Sequence, residues 1–193
     1  MANVRDGDRA LDLACGTGDI AFAVAARGAR TVGLDITFRM LQLADAKQRA
    51  ANGVASGVRF LGGDMTSLPF ASASFDLVTT GYGLRNVPDL TAAIVEIARV
   101  LKPGGRLLSL DFNRPEAAVI RGAYLWYLTA VGSILGWVLH RDPDTYRYIP
   151  ASIRRYPGAR GVAERLAANG FSNVRVVPLL FGLMSLHLAE RSR

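Results

Sequence analysis

The sequence predicts an α/β protein built on a doubly wound, mostly parallel sheet, and three observations carry that prediction. Residues 9–21, RALDLACGTGDIA, read as a short buried strand, a glycine turn and the first turn of a helix, the unit that opens most nucleotide-binding sheets. Strand-like apolar runs then alternate with segments of helical period at intervals typical of βαβ units. Gly16, Asp35, Asp64 and Gly81 all fall at the carboxyl ends of predicted strands, where ligands bind in such sheets.

The first strand carries Leu11 and Leu13 at strand spacing, and Gly16 and Gly18 let the backbone turn and approach a ligand. Asp19 is expected to cap a helix of about 20–27. Gly16-x-Gly18-x-x-Ala21 also fits a dinucleotide fingerprint. A diphosphate, however, needs bare amides and a positive helix end. Asp12 and Asp19 place two acids around this turn, which suits a cationic donor with an amino group, S-adenosyl-L-methionine, better than NAD.

Thr31 to Asp35 is the second strand, and Asp35 lies 17 residues beyond Gly18, near the spacing at which an acid meets ribose hydroxyls. Thr37 is placed to cap a helix of about 38–51, with Met40, Leu41 and Ala44 at helical spacing. Val58 to Leu61 is the third strand. After it, Asp64 can accept from an adenine amino group while Met65 covers the ring. Phe75 to Thr80 is the fourth strand and runs into Gly81 and Tyr82. Asp89 caps a helix to Leu101, and LKPGG (101–105) is a turn into the fifth strand, Arg106 to Asp111.

Ala123 to Leu139 has no charge over 17 residues. Three readings stand for it: a short membrane span, a core helix, or an interfacial helix. Trp126, Trp137, Tyr124 and Tyr127, flanked by Arg121, His140 and Arg141, favour the last. Residues 142–148 are polar and aromatic and suit the rim of a pocket. A helix near 161–168, stopped by Gly170, leads to two closing strands, 174–177 and 183–188, a hairpin that places one antiparallel strand in the sheet. His140 and His187 read as structural.

At 193 residues and half hydrophobic, the chain is expected to form a single domain, 1–193. Residues 1–113 carry 12 basic and 11 acidic side chains, residues 114–193 carry 11 and 5, so nearly all of the +7 net charge lies in the second part. That asymmetry points to an anionic lipid surface rather than nucleic acid, because the arginines are scattered. Cys15 is the sole cysteine, so no intramolecular disulfide forms and a cytoplasmic location is expected. The N-terminal residues have no apolar run of a signal peptide, and no metal is expected.

DLACGTGDIA, Asp35, GGDMTSLPF, YGLRNVPDL, LKPGGRLLSLDF and DTYRYIPASI follow in order across nearly the whole chain. Together they closely resemble the ubiquinone/menaquinone biosynthesis C-methyltransferase family. The glycine turn and LKPGG are general to class I methyltransferases; GLRNVPD and DTYRYIPASI are more specific to the quinone enzymes. The resemblance implies a Rossmann-like, seven-stranded class I fold with its last strand antiparallel, S-adenosyl-L-methionine as methyl donor, and methylation of a ring carbon of a polyprenyl demethylquinol. It implies donor contacts at Thr17, Asp35, Asp64, Met65 and Gly81. With Asp12, Ala14, Gly16, Gly18 and Ile36 these form the candidate donor site. Arg85 and Asn86 are the candidate catalytic pair. Tyr82, Tyr146 and Arg147 are candidate substrate contacts, in part on a substrate-side insertion at about 114–160. The expected setting is cytoplasmic and peripheral at the inner face of a membrane, with room for a homodimer. The family's usual helices ahead of the first strand are expected to be missing, since that strand starts about eight residues after Met1.

Overall fold

A computed structural model of the chain describes residues 3–50, 57–142, 144 and 146–193. Ala51, where the second helix was expected to end, lies outside the described residues, as do Pro143, Thr145 and the side chain of His140. Seven strands form one sheet: β1 (Arg9–Leu13), β2 (Arg30–Asp35), β3 (Val58–Gly62), β4 (Phe75–Gly81), β5 (Leu101–Phe112), β6 (Phe171–Leu179) and β7 (Met184–Arg191). Their order is β3-β2-β1-β4-β5-β7-β6. Every pairing from β3 to β5 is parallel, and β7 runs antiparallel to both β5 and β6. The closing strands therefore put a single reversed strand into the sheet. The chain winds outward from β1 to β3 and returns at β4 beside β1, so the switch point lies between β1 and β4.

Helices cover both faces. On one, α1 (Asp19–Ala25) packs Val24 with Ala10 and Leu77. On the other, α3 (Leu90–Val100) and α6 (Gly158–Ala168) bury Ile94, Ile97, Val162 and Leu166 against Leu11, Leu13, Val78 and Leu107. The alternation of apolar residues along each strand feeds the two cores separately. Asp89 caps α3 by accepting from the Ala92 amide at 3.0 Å. α2 is Phe38–Ala50; the Thr37 carbonyl accepts from the Met40 amide at its start, and Leu41 and Ala44 are buried while Met40 stays half exposed.

Three local readings are corrected. Asp19 does not cap α1. Gly18, in the left-handed region at φ 84°, holds the cap position without a side-chain bond, and the Asp19 carboxylate turns outward to Lys47 and the Thr17 hydroxyl. LKPGG is not a turn ahead of β5 but part of it. Phe75 pairs with Leu101 and Leu77 with Arg106, so residues 102–105 form a bulge whose Pro and Gly need no ladder partners. No helix was expected over residues 148–155, but Tyr148, the last residue of the 142–148 rim segment, opens helix α5 (Tyr148–Arg155). Pro150 sits in its first turn, where the lost amide hydrogen costs nothing.

The apolar segment extends to α4 (Ala118–His140), which by length and composition alone could cross a membrane. It lies on the domain through Tyr124 and Leu125, which pack on Ile153, and the Tyr124 hydroxyl donates to the Leu183 carbonyl at 3.1 Å. Leu128 joins that packing and Gly136 is buried, while most of the helix's large apolar side chains face outward. Trp126, Trp137, Val138 and Leu139 are each at least 60% exposed, which excludes the core-helix reading. Phe181 is fully exposed in the turn before Leu183.

Candidate methyl-donor and acceptor site

At the switch point a cavity of about 430 Å³ opens over the carboxyl ends of β1, β2 and β4. Asp35 at the end of β2 is nearly buried, at 7% exposure. Its carboxylate accepts from the Gly16 and Thr37 amides, each at 2.8 Å. One side chain thus fixes the glycine turn to the start of α2, and two of its roughly four lone-pair sites remain for a ligand's hydroxyls. Gly16, at φ 53°, directs the space a Cβ would occupy into the open cavity. Gly83 is required by close approach: a Cβ there would lie 2.5 Å from Thr80 Oγ1 and 2.8 Å from the Ala14 methyl.

Ala14 and Tyr82 also take left-handed backbone, at φ 51° and 59°. Non-glycine residues there cost of order 1–3 kcal/mol each, and such strain gathers at ligand sites. Across the cavity, Met65 is buried, and Asp64 is exposed with Oδ1 accepting from the Thr66 amide at 2.8 Å.

Arg85 stands at one end of the cavity. It lies on a single 3₁₀ turn, 84–86, and its side chain is only 4% exposed. Nη1 donates to Asp111 Oδ1 at 2.6 Å and to the Tyr82 carbonyl at 3.0 Å, and the Arg85 amide donates to Asp111 Oδ2 at 3.2 Å. The guanidinium lies against two rings that touch each other, 5.3 Å from the Tyr82 centroid and 4.9 Å from that of Phe112, the two centroids being 5.2 Å apart. The Asn86 amide donates to the same Tyr82 carbonyl at 2.9 Å, so one strained residue aligns both members of the pair. Residues 85–88 and Tyr148 form a wall shared with a second groove of about 490 Å³, which continues past Tyr156, Arg155 and Arg165.

Of the donor candidates, Ala14, Gly16, Asp35, Ile36, Asp64, Met65 and Gly81 line the first cavity. Asp12, Thr17 and Gly18 are not among its lining residues. Asp12 sits beneath the turn at 1% exposure, accepting from the Thr79 hydroxyl at 2.7 Å. With Asp19 turned to Lys47, the two acids that were expected to attract a cationic donor both face away. The carboxylates that line the cavity are those of Asp35 and Asp64. Arg85, Asn86 and Tyr82 line the cavity, whereas Tyr146 and Arg147 line neither space. Tyr146 packs over Gly132 of α4, and Arg147 pairs with Asp144 on the surface. Sequence reasoning placed Tyr148 within the 142–148 rim segment without singling it out, and missed Tyr156. The aromatic spacing of DTYRYIPASIRRY pointed to the region, but which rings face inward depends on α5.

Burial pushes the Asp12 carboxyl up to about 7, against the opposing hydrogen bond from Thr79. The unfolded carboxyl ionises near pH 4, the folded one near pH 7. Stability is therefore lost as pH rises between those values and stays low above them. That difference corresponds to on the order of 4 kcal/mol. Asp12→Asn is expected to melt about 8–16 °C above the parent at pH 8 and level with it at pH 4. A constant gap across that range in thermal melts would contradict the assignment.

These residues fit a nucleoside-bearing donor. The volume lies within the roughly 300–1,000 Å³ of small-ligand sites, and the uncommitted side of Asp35 suits vicinal hydroxyls. Comparison with known proteins agrees. The profile of the ubiE/COQ5 methyltransferase family matches residues 1–191. The demethylmenaquinone methyltransferase of Geobacillus kaustophilus is 38% identical over 192 residues, covering 98% of this chain and 81% of that protein. The ubiquinone/menaquinone biosynthesis C-methyltransferase UbiE of Serratia proteamaculans is 39% identical, covering 96% and 75%. Among solved structures, a SAM-dependent methyltransferase from Aquifex aeolicus superposes with a TM-score of 0.71 at 15% identity, covering 98% of this chain and 85% of that one, a likeness of fold.

Proposed function

The chain belongs to the ubiE/COQ5 methyltransferase family, and from that premise we propose that it methylates a ring carbon of a polyprenyl demethylquinol, with Arg85 and Asn86 at the reacting end. It is an S-adenosyl-L-methionine-dependent methyltransferase of quinone biosynthesis. The observation that carries the proposal is the shared wall. Arg85 and Asn86 border both the donor cavity and the second groove, so an acceptor ring in the groove meets the donor beside them.

The donor, when bound, supplies an electrophilic methyl group on a cationic sulfur. The remaining tasks fall to the chain. Asp35, Gly16, Asp64 and Met65 hold the nucleoside end, with Ala14, Ile36 and Gly81 completing the walls; Asp12, Thr17 and Gly18 shape the turn from behind. Arg85, clamped by Asp111 and two rings, stabilises negative charge on a quinol oxygen, as fixed donors do at sites of developing charge. Asn86 orients that ring, and Tyr82 and Tyr148 flank it. Tyr146 and Arg147 act indirectly, through the seating of α5 against α4. Positioning of carbon against methyl supplies most of the rate.

The exposed face of α4, with Leu180 and Phe181, is proposed to rest on the inner leaflet of a membrane, in a cytoplasmic enzyme that takes up its acceptor there. Two exposed tryptophans and the basic excess of residues 114–193 support a lipid contact over a homodimer on the same face.

Calorimetry with S-adenosylhomocysteine, beside methyl transfer to demethylmenaquinol in phosphatidylglycerol vesicles, tests the reading. Binding, transfer and salt-sensitive co-sedimentation of a monomer are expected. Binding without transfer to any quinol would remove the acceptor assignment, and a vesicle-indifferent dimer would remove the membrane contact.

A further inference from the structure

The proposed membrane contact and the acceptor site share one small apolar cluster, apart from the main core. Tyr124 and Leu125 of α4 pack there on Ile153 of α5, with Phe112, Leu128, Ile149 and Leu183 around them. Phe112, at the end of β5, belongs to the acceptor site as well. Its ring lies 4.9 Å from the Arg85 guanidinium and 5.2 Å from the Tyr82 ring. The Phe112 amide donates to Asp111 Oδ1 at 2.8 Å, the same oxygen that accepts from Arg85 Nη1.

Leu183 leads from this cluster into the turn 180–182, and that turn is strained. Leu180, Phe181 and Gly182 take left-handed backbone in succession, at φ 49°, 56° and 85°. Two of the three carry large side chains, which rarely adopt that region. The turn presents apolar surface, with Leu180 65% exposed and Phe181 fully exposed. Such strain persists only where the surroundings hold it, and here the hold comes from β5 and α4. The Asn113 side chain donates to the Gly182 carbonyl at 2.9 Å. The Leu183 carbonyl accepts from the Asn113 amide at 2.9 Å and from the Tyr124 hydroxyl at 3.1 Å. Asn113 Oδ1 also accepts from the Ala159 amide at 2.8 Å, which ties the turn to the start of α6. Asn113 directly follows Phe112 in the chain. Two adjacent residues thus join the turn and α4 to the group against Arg85.

In water this arrangement has little apolar support. Tyr124, Leu125 and Gly136 are the buried residues among those described on α4, and segments with few buried apolar contacts open readily. A bilayer that takes up Trp126, Trp137, Leu180 and Phe181 buries them together only while α4 and the turn keep this shape. Its differential affinity therefore favours that shape over the others. We propose that seating on an anionic lipid surface activates methyl transfer by fixing Phe112 against Arg85, with Asn113 the positioning residue that carries the coupling. This rests on the membrane contact and the quinol reading proposed above. The lipid takes no part in the chemistry. It holds the Arg85 guanidinium toward the acceptor oxygen, so the effect falls on kcat.

The test uses a demethylquinol without a polyprenyl tail, held at a saturating concentration so that partition into vesicles cannot mimic activation. Phosphatidylglycerol vesicles are expected to raise kcat of the parent at least about fivefold, the lower end of usual coupling between sites, with S-adenosylhomocysteine affinity unchanged. Asn113→Ala is expected to sediment with the vesicles as the parent does, yet to turn over no faster with them than without. A parent that sediments with vesicles but gains no rate overturns the proposal and leaves the membrane contact standing. An Asn113→Ala enzyme that gains as much as the parent also overturns it. Should Asn113→Ala fail to fold, Phe181→Ser decides: the tryptophans of α4 still bind vesicles, and an undiminished gain overturns the proposal. A parent that never sediments with vesicles removes the membrane contact and this proposal with it. One that methylates neither this quinol nor demethylmenaquinol removes the quinol reading and, again, the proposal.

Discussion

Asp35→Ala is expected to weaken S-adenosylhomocysteine binding at least 100-fold. The carboxylate is nearly buried and already serves two backbone amides, from Gly16 and Thr37. On the proposed reading its free lone pairs accept from two ligand hydroxyls. Hydrogen bonds to a charged group contribute about 1.5–3 kcal/mol each, and loss of two exceeds the ~2.7 kcal/mol that corresponds to 100-fold. The substitution also frees the glycine turn, since the Gly16 amide loses its acceptor, so the donor meets a looser cradle. Asp35→Asn keeps one acceptor oxygen and the shape, and should fall between. Calorimetry reads both, and a dissociation constant within threefold of the parent for Asp35→Ala would show that the donor does not use this residue.

Much of this site was legible before any coordinates. Gly16, Asp35, Asp64 and Gly81 were placed by local signals: strands that end at glycine or an acid and helices that begin just after them. The Asp89 cap was equally local. What escaped depended on partners distant in sequence. Asp19 is claimed by Lys47, 28 residues on, which nothing near Asp19 announces. Asp111 drew no notice, because its meaning comes from Arg85, 26 residues earlier and on another element. Asp12 could have been read more closely. Leu11 and Leu13 face the α3 side, so the pleat itself sends Asp12 to the α1 side, beneath the turn. The apolar run of α4 was recognised, and its tryptophans, tyrosines and basic flanks favoured the exposed, interfacial reading over the core helix, as the exposure of Trp126 and Trp137 bears out.

Arg85→Leu is expected to reduce methyl transfer about 10²–10³-fold and to destabilise the protein by about 3–5 kcal/mol, because it strands a fully buried Asp111 carboxylate. For a domain of this size that is a fall of roughly 6–20 °C in Tm. The two effects separate in the double variant Arg85→Leu/Asp111→Leu. Replacing a buried ion pair by apolar residues is often neutral or stabilising, so melting should recover most of its loss. Activity should not recover, since no cation then faces the acceptor oxygen. Arg85→Lys supplies the third comparison. Lysine keeps a positive charge for Asp111 but lacks the planar fork that lies against Tyr82 and Phe112 while also reaching the Tyr82 carbonyl. It should therefore retain more stability than Arg85→Leu and only a small part of the rate. Full activity in the refolded double variant would mean that Arg85 is a structural ion pair and that acceptor charge is stabilised elsewhere in the groove, with Arg155 and Arg165 the next groups to examine.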